Sequence, residues 1–174
     1  MTYSCQLTHG ILKSKIEKGV ITMNYEIVNL QKKTVVGLTI RTKNSDPNMT
    51  KDIGGLWEKF YSQGIFASIP NKSNANAIGL YTNYESDATG AYDLTVCCEV
   101  DSQEGLPVDL DVVTIPAGKY AKFVVYGGMQ AVGAFWSELW QMKLNRKYGC
   151  DFEEYQDCGD MEHMEISIYI SLNE

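Results

Sequence analysis

The sequence has few residues of the kinds that carry nucleophilic or metal chemistry. Its 174 residues include two histidines, His9 and His163. A Ser-His or Cys-His nucleophile would have to use one of them, and neither lies in a recognisable nucleophile motif. A metal site could be assembled from Cys150, Cys158 and His163, but their spacing matches no paired-cysteine zinc pattern. We therefore expect no metal and no cofactor.

Positive charge is also scarce. The chain has 15 Lys and Arg against 22 Asp and Glu, which gives a formal net charge of -7. Affinity for nucleic acids rests largely on Lys and Arg side chains that neutralise phosphates, so we expect no direct binding to DNA or RNA. The same charge balance is more compatible with a cationic ligand.

Long apolar runs and a regular cysteine framework are missing as well. No stretch approaches the length of a membrane span, and the N-terminus has no charged segment followed by an apolar one. The five cysteines are irregularly spaced, and the adjacent Cys97 and Cys98 would point to opposite faces of one strand. We expect reduced thiols, a cytoplasmic location and no membrane partner.

The last strand of the chain shows the clearest pattern. Between Glu165 and Leu172, aliphatic residues alternate with polar or aromatic ones, which predicts a strand with two unlike faces. Residues expected to pack against helices are Ile166, Ile168, Ile170 and Leu172. The other face then carries a carboxylate, a hydroxyl and an aromatic ring, those of Glu165, Ser167 and Tyr169.

The chain also contains an internal repeat. Residues 93–96 and 165–168 share the order acid, aliphatic, hydroxyl, aliphatic. Each half has a helical pattern around a tryptophan, Trp57 in the first and Trp136 in the second. A β-branched run precedes each helix, and an aromatic-x-x-Tyr segment follows it at residues 81–84 and 152–155. Both halves therefore read strand, helix, strand, strand.

These patterns divide the chain into an N-terminal extension, residues 1–24, and one domain, residues 25–174, made of modules 25–102 and 106–174. The extension reads either as a short amphipathic helix or as a loose arm. We expect Thr50 or Asp52 to cap the first helix, which should end near Gly64, and residues 65–76 to form a loop. The second helix should continue to about Lys147, with Gly149 marking its end.

The order of the motifs resembles a known superfamily. The residues that carry the resemblance are Gly79-Leu80-Tyr81, residues 113–120, residues 151–155 and the strand from Glu165. They are similar to the gyrase-inhibitor-like small-molecule-binding superfamily, which includes the effector-binding domains of AraC-type and MerR-type regulators. Within it, the chain looks most like the stand-alone integron-associated effector-binding proteins, over about residues 25–174.

The resemblance implies an α+β fold in which tandem strand-helix-strand-strand modules are related by a pseudo-twofold. Their antiparallel sheets line a central groove, and the helices pack on the sheets. In regulators of this kind, an acidic residue ringed by aromatics meets lipophilic cations of several structures. The matching position is Glu165, although several relatives carry the acid two positions later, where this chain has Ser167.

The expected site therefore combines one carboxylate with aromatic rings. A carboxylate in an apolar groove has a raised pKa unless a cation or hydrogen-bond donors stabilise its charge, and aromatic faces add about 0.5 to 2 kcal/mol each. The candidate ligand-binding residues are Glu165, Ser167, Tyr169, Tyr81, Tyr92, Tyr120, Trp57 and Trp136. For the two tryptophans, helical spacing beside apolar residues is more often typical of plain core.

The sequence favours a stand-alone effector-binding domain that senses or sequesters a small lipophilic, cationic molecule. The competing hypothesis is an enzyme. Some relatives in the superfamily hydrolyse strained electrophiles, and Glu165 would then be the general base. A third hypothesis, inhibition of a protein target such as gyrase, is suggested only by the superfamily name. Nothing in the sequence supplies a second catalytic group, so we favour binding over catalysis.

Overall fold

In the described part of the chain, the alternation of apolar and polar residues produces more strand than helix. The computed structural model describes residues 15–17, 20–157 and 164–174. Its strands are β1 (Lys15–Glu17), β2 (Val20–Thr22), β3 (Glu26–Leu30), β4 (Lys33–Lys43), β5 (Ala77–Thr82), β6 (Ala91–Glu99), β7 (Asp111–Ile115), β8 (Gly118–Tyr126), β9 (Cys150–Tyr155) and β10 (Glu165–Ser171). Its helices are α1 (Met49–Ser62), α2 (Ile65–Ser68) and α3 (Met129–Leu139).

The two halves of the domain have the predicted plan. The first runs β4, α1, β5, β6, and the second runs β8, α3, β9, β10. In the described part of the chain, these strands join β3 and β7 in one antiparallel sheet of eight, in the order β3-β8-β10-β9-β5-β6-β4-β7. Equivalent strands of the two halves occupy mirrored places in this order, so a pseudo-twofold passes between β5 and β9. The α+β fold with a duplicated module is confirmed.

The edges of the sheet are exchanged between the halves. Strand β3 precedes the first module in sequence but pairs with β8 of the second. Strand β7 begins the second half and pairs with β4 of the first. At the centre, β5 and β9 pair along six residues each, from Ala77↔Tyr155 to Thr82↔Cys150. The sheet is therefore continuous, where the sequence suggested one sheet for each module.

Helices α1 and α3 lie on the same face of this sheet. The isoleucines of β10 pack with Phe135 and Leu139 of α3, as the alternation predicted. Leu56 and Phe60 of α1 pack with Val96 and other residues of β4 and β6. The register sets Ile168, Glu153, Gly79 and Val96 side by side across β10, β9, β5 and β6, which puts all of them on one face.

The other face of the sheet is closed by its own curvature. A third buried cluster there contains Leu80, Tyr120, Phe152 and Tyr169, together with aliphatic and cysteine side chains of β4, β5 and β6. The Tyr169 and Phe152 rings are stacked with centroids 4.4 Å apart. The curved sheet thus has an apolar cluster on the face opposite the helices, separate from the two clusters under the helices.

The structure corrects the end predicted for the second helix. Helix α3 ends at Leu139, and residues up to Gly149 are not helical. Tertiary contacts override the helical spacing of Trp140 and Leu144, because Arg146 bridges to Leu172 and its guanidinium pairs with Asp151. Gly149 is therefore not a helix cap.

Two smaller differences concern the first half. Helix α1 begins at Met49 with Asn48 at its N-cap, so both predicted caps, Thr50 and Asp52, lie inside the helix. The predicted loop of residues 65–76 includes the single turn of α2. In the predicted N-terminal extension, β1 pairs antiparallel with β2. The rest of the predicted helix or arm, residues 1–14 and 18–19, lies outside the described residues.

Two glycines offer a matched test of this packing. A Cβ at Gly37 in β4 would collide with the Val96 carbonyl oxygen and come within 2.6 Å of the Cys97 Cα. We expect Gly37→Ala to lower the free energy of unfolding by about 1 to 3 kcal/mol, because backbone atoms cannot yield as side chains do. A Cβ at Gly54 in α1 meets no atom within 4 Å. Gly54→Ala should raise stability by about 0.8 to 1 kcal/mol through helix propensity, and urea unfolding would measure both. Equal effects would contradict the packing.

Candidate ligand-binding site

A cleft lies between α1 and α3 above the central strands. Its volume is about 180 Å³. Met49 and Ile53 of α1 form one side, and Gly133 and Trp136 of α3 form the other. Aromatic rings make up most of the remaining wall, and they belong to Tyr81, Tyr84, Tyr92 and Trp140. The cleft is thus an aromatic space at the junction of the two modules.

Glu153 of β9 lies behind the aromatic wall of this cleft. Its side chain is 2 % exposed. The Tyr81 and Tyr155 hydroxyls donate hydrogen bonds to the carboxylate at 2.9 and 2.5 Å, and the Trp136 Nε1 donates a third. Among the described residues, no Lys or Arg lies within 4.0 Å of either carboxylate oxygen. The charge of Glu153 therefore has neutral donors around it but no cationic partner.

Burial sets the ionisation of this carboxyl group. Removal from water raises the pKa of Glu153, and the hydrogen bonds from Tyr155, Trp136 and Tyr81 oppose that effect without cancelling it. Burial, followed by the charge of Glu153, in turn raises the pKa of Tyr81 well above its usual value. The tyrosine hydroxyls are therefore held as donors, and a cation near Glu153 would favour its ionised form.

Trp57, which belongs to the first module, also lies close to Glu153. A Cβ on Gly79, the cross-strand partner of Glu153, would lie 3.2 Å from the Glu153 Oε2 and 3.3 Å from the Trp57 ring. The Trp57 ring also meets Tyr155 edge to face at 5.1 Å. The absence of a side chain at Gly79 therefore leaves room for the carboxylate and the Trp57 ring together.

A second buried carboxylate, Asp151, lies two residues earlier on the same face of β9. It is fully buried, but the Arg146 guanidinium pairs with it at 2.8 Å. The backbone N–H and the hydroxyl of Ser171 donate to it at 2.7 and 2.9 Å, and the Tyr84 hydroxyl donates at 3.1 Å. Asp151 is thus neutralised within the protein, whereas Glu153 is not.

The structure brings four of the predicted aromatic residues to this region. Tyr81, Tyr92 and Trp136 line the cleft, and Trp57 lies on the other side of Glu153. The Tyr81 ring lies 5.6 Å from the Tyr92 ring and 5.1 Å from the Trp136 ring. These four aromatic residues lie around Glu153, whereas the sequence analysis placed them around Glu165.

The other predicted residues lie elsewhere. Glu165 is at the start of β10, where its carboxylate accepts hydrogen bonds from Tyr126 at 3.0 Å and Gln156 at 3.3 Å at the surface. Ser167, Tyr169 and Tyr120 are buried on the face opposite the helices. The predicted face of β10 therefore exists, but it is turned away from the cleft.

Glu153 is not among the binding residues predicted from the sequence, although residues 151–155 carry part of the family resemblance. The sequence pattern predicts that residues 152–155 form an aromatic motif ahead of a strand. In the structure these residues belong to strand β9. Its alternation places Asp151, Glu153 and Tyr155 on one face and Phe152 on the other. The sequence signal for this site is therefore the period-two alternation of β9, which sets Asp151 and Glu153 on the face that the helices cover.

Other classes of site have less support in the described residues. In these ranges, no group of three His, Cys, Asp or Glu side chains is close enough to hold a metal ion. Within the same ranges, no helix has the length and apolarity to cross a membrane. Cys97, Cys98 and Cys150 are buried free thiols, and burial raises the pKa of Cys98 to about 11.

The duplicated α+β fold with a cleft over its central strands is that of an effector-binding family. The family described as integron-associated effector binding protein matches residues 26–172, and the chain belongs to that family. This confirms the resemblance read from the sequence.

Known relatives share most of their length with this chain. An integron cassette protein from the mobile metagenome of Vibrio cholerae is 36% identical, with a TM-score of 0.67 over 84% of this chain and 95% of that one. SAV2435, solved bound to tetraphenylphosphonium, is 26% identical, with a TM-score of 0.67 over 86% and 94%. The proposed transcriptional regulator protein YobU of Bacillus subtilis (strain 168) is 29% identical, over 84% of this chain and 96% of its own length.

Proposed function

We propose that this protein binds a lipophilic organic cation in the cleft between α1 and α3, as a sensor or sequestering protein. The observation that carries the proposal is Glu153, a buried carboxylate that three neutral groups hydrogen-bond and no described cation pairs. An ion removed from water without a counter-ion is costly, so a bound cation would relieve the site. The bound tetraphenylphosphonium of SAV2435 supports the same ligand class.

The aromatic wall suits a delocalised cation better than a small hydrated one. Tyr81 and Trp136 present rings next to the carboxylate, and Trp57 and Tyr155 lie on its other side. A desolvated cation gains about 0.5 to 2 kcal/mol from each ring face, and its apolar groups gain from burial. An inorganic cation would have to give up its hydration shell without enough oxygen ligands in return.

Entry of a ligand requires the cleft to widen. Its volume of about 180 Å³ is smaller than the roughly 300 to 1,000 Å³ typical of small-molecule sites. Tyr81 and Trp136 both line the cleft and donate to Glu153, so their movement would open a path to the carboxylate. The ligand would replace the hydrogen bonds lost in that movement with its charge and its aromatic contacts.

The test uses two ions of the same shape and opposite charge. We expect isothermal titration calorimetry to show binding of tetraphenylphosphonium and at least tenfold weaker binding of tetraphenylborate, because a buried anion selects for positive charge. Thermal shift with each ion gives an independent measure, since a ligand of the folded state raises the melting temperature. Equal affinity for both ions, or preference for the borate, would refute the proposal.

The raised pKa of Glu153 predicts a pH-dependent affinity. The cation favours the ionised carboxylate, whereas burial favours the protonated form in the free protein. Affinity for tetraphenylphosphonium, which does not titrate, should therefore fall as the pH drops below the raised pKa of Glu153, by up to tenfold per unit. Titrations from pH 8 to pH 5 in one ionic strength would measure this. In Glu153→Gln the slope should disappear, and a slope that persists would assign the proton to another group.

The hydrolase hypothesis has a weaker basis. A general base needs a free lone pair directed at a water or substrate proton. The hydrogen bonds that Glu153 accepts from Tyr81, Tyr155 and Trp136 occupy three of the about four lone-pair sites of its carboxylate and lower its basicity. Glu165 is accessible at the surface, but its position at the start of β10 is outside the aromatic cleft. Binding is therefore the function that the geometry supports best.

A further inference from the structure

Arg146 forms a polar end of the same cleft. Its side chain lines the cleft and is 6% exposed. The Nη2 donates to Asp151 at 2.8 Å. The guanidinium carbon lies 4.4 Å from the centre of the Tyr148 ring and 5.9 Å from that of Trp136. An ion pair and two aromatic rings therefore hold the plane of the guanidinium in one orientation.

Most of the donors of this guanidinium are not used. Arginine has five N–H donors in a fixed fork. Among the described residues, Nε and Nη1 donate no hydrogen bond, and the Nε is buried. A buried donor without a partner costs about 1 to 3 kcal/mol, so such groups are rare unless something else satisfies them.

Neutralisation of Asp151 alone does not account for this arrangement. One contact from Nη2 already provides the counter-charge, and Ser171 and Tyr84 supply the other hydrogen bonds to Asp151. The backbone of Tyr148, which holds its ring over the guanidinium, has a φ of 52°, a conformation that side-chain-bearing residues seldom adopt. The fold thus keeps the free edge of Arg146 at the cleft.

We propose that Arg146 is a second recognition group, which binds a hydrogen-bond acceptor of the ligand while Glu153 pairs with its positive centre. This inference rests on the proposed function and narrows the ligand to a lipophilic cation that also carries a carbonyl or carboxylate oxygen. Asp151 and Glu153 are two residues apart on one strand, which separates their backbones by about 6.7 Å. The acceptor and the positive centre of the ligand should therefore be separated by a similar distance.

In an alternative arrangement, the positive centre and the acceptor oxygen of the ligand would both lie beside Glu153. The charges do not favour this arrangement. A ligand carboxylate beside Glu153 would place two anions together, whereas Arg146 offers a cation with unused donors. The Trp136 ring lies between the two polar groups, since it donates to Glu153 and lies against Arg146. Its movement would expose both groups to one ligand.

The test compares two phosphonium ions that differ at the end of one chain. Pentyltriphenylphosphonium ends in a methyl group, and (4-carboxybutyl)triphenylphosphonium ends in a carboxylate at pH 7.5. We expect the wild-type protein to bind the carboxylate-bearing probe about tenfold more tightly by calorimetry, as a charge-assisted hydrogen bond provides. Arg146→Lys keeps a charge beside Asp151 but lacks the planar fork, so the ratio of the two affinities should fall at least threefold.

A second variant guards against loss of folding. Arg146→Met combined with Asp151→Asn removes both charges together, so no buried ion is left unpaired. In this variant the preference for the carboxylate-bearing probe should vanish. Equal affinity of the wild-type protein for the two probes, or a preference that both variants retain, would overturn the role of Arg146 and leave the cation site intact. If neither probe binds, the proposed function itself fails, and the inference fails with it.

Discussion

Glu153→Gln is expected to lower the affinity for tetraphenylphosphonium by about tenfold to 150-fold, the 1.5 to 3 kcal/mol of a charged contact. Glutamine keeps the shape of the side chain and one acceptor oxygen, to which Tyr81 and Trp136 can still donate, and its amide N–H can donate to the Tyr155 hydroxyl in place of the bond that Tyr155 donates to Glu153. What disappears is the negative charge. Calorimetry at pH 7.5 would measure the loss, and affinity for a neutral aromatic of similar size should change little.

Two other carboxylates supply matched controls for that variant. Glu154 is the next residue on β9 and faces the opposite side of the sheet, where Asn76 donates to it. Glu165, the acid predicted from the sequence, accepts from Tyr126 at the surface. Glu154→Gln and Glu165→Gln should each change the affinity less than threefold. If Glu165→Gln greatly lowered the affinity and Glu153→Gln did not, the carboxylate that pairs with the ligand would be Glu165 on β10 and not Glu153.

The same substitution separates recognition from stability. Glu153 is an acid whose pKa is raised on folding, so it destabilises the folded state when it is ionised. Its contribution to the free energy of unfolding is fully present at pH values below the pKa of the unfolded state. That contribution is lost as the pH rises through the raised pKa of the folded state. Glu153→Gln should therefore melt at the same temperature as the wild type or higher at pH 8. A large drop in melting temperature would show that the carboxylate has a structural role.

The largest loss of stability is expected for Asp151→Ala, at about 3 to 5 kcal/mol. This variant leaves the Arg146 charge buried at 6% exposure without its counter-ion. It also removes the acceptor for the Ser171 backbone N–H and hydroxyl and for the Tyr84 hydroxyl. The free energy of unfolding from urea titrations followed by tryptophan fluorescence would measure the effect.

Asp93 provides the comparison for Asp151. It pairs with Arg41 at 3.1 Å, but the two side chains are 24% and 47% exposed. Water and salt screen such a pair, so Asp93→Ala should cost no more than about 1 kcal/mol. Similar losses for the two variants would mean that burial does not decide the strength of the Asp151 pair.

Several features of the fold were predictable because they depend on short-range pattern. The alternation from Glu165 to Leu172 predicts the strand and its apolar face, and the structure buries that face under α3. The repeated helices around Trp57 and Trp136 predict two similar modules, and the strand order shows them. Side-chain periods of 2 and 3.6 residues are local properties, so one sequence is sufficient to read them.

Other features depend on contacts between distant parts of the chain. The second helix stops at Leu139 because Arg146 is drawn to Asp151 and Leu172, and no helical spacing in that segment reports this. The exchange of β3 and β7 between the modules also follows from strand pairing. It joins residues far apart in sequence, 92 positions for Val28↔Tyr120 and 78 for Val35↔Val113. Register across such distances is a tertiary property.

The sequence by itself determined the duplicated α+β plan, the aromatic composition and the expectation of an acid within an aromatic groove. The tertiary structure decided which acid meets the aromatic rings. Glu165 lies on the strand predicted from the sequence, and Glu153 lies on β9. The pairing of β9 with β5 and β10 sets Glu153 next to Tyr81, Trp136 and Trp57. Strand alternation defines two faces, and the helices that cover one of them determine which face carries the cleft.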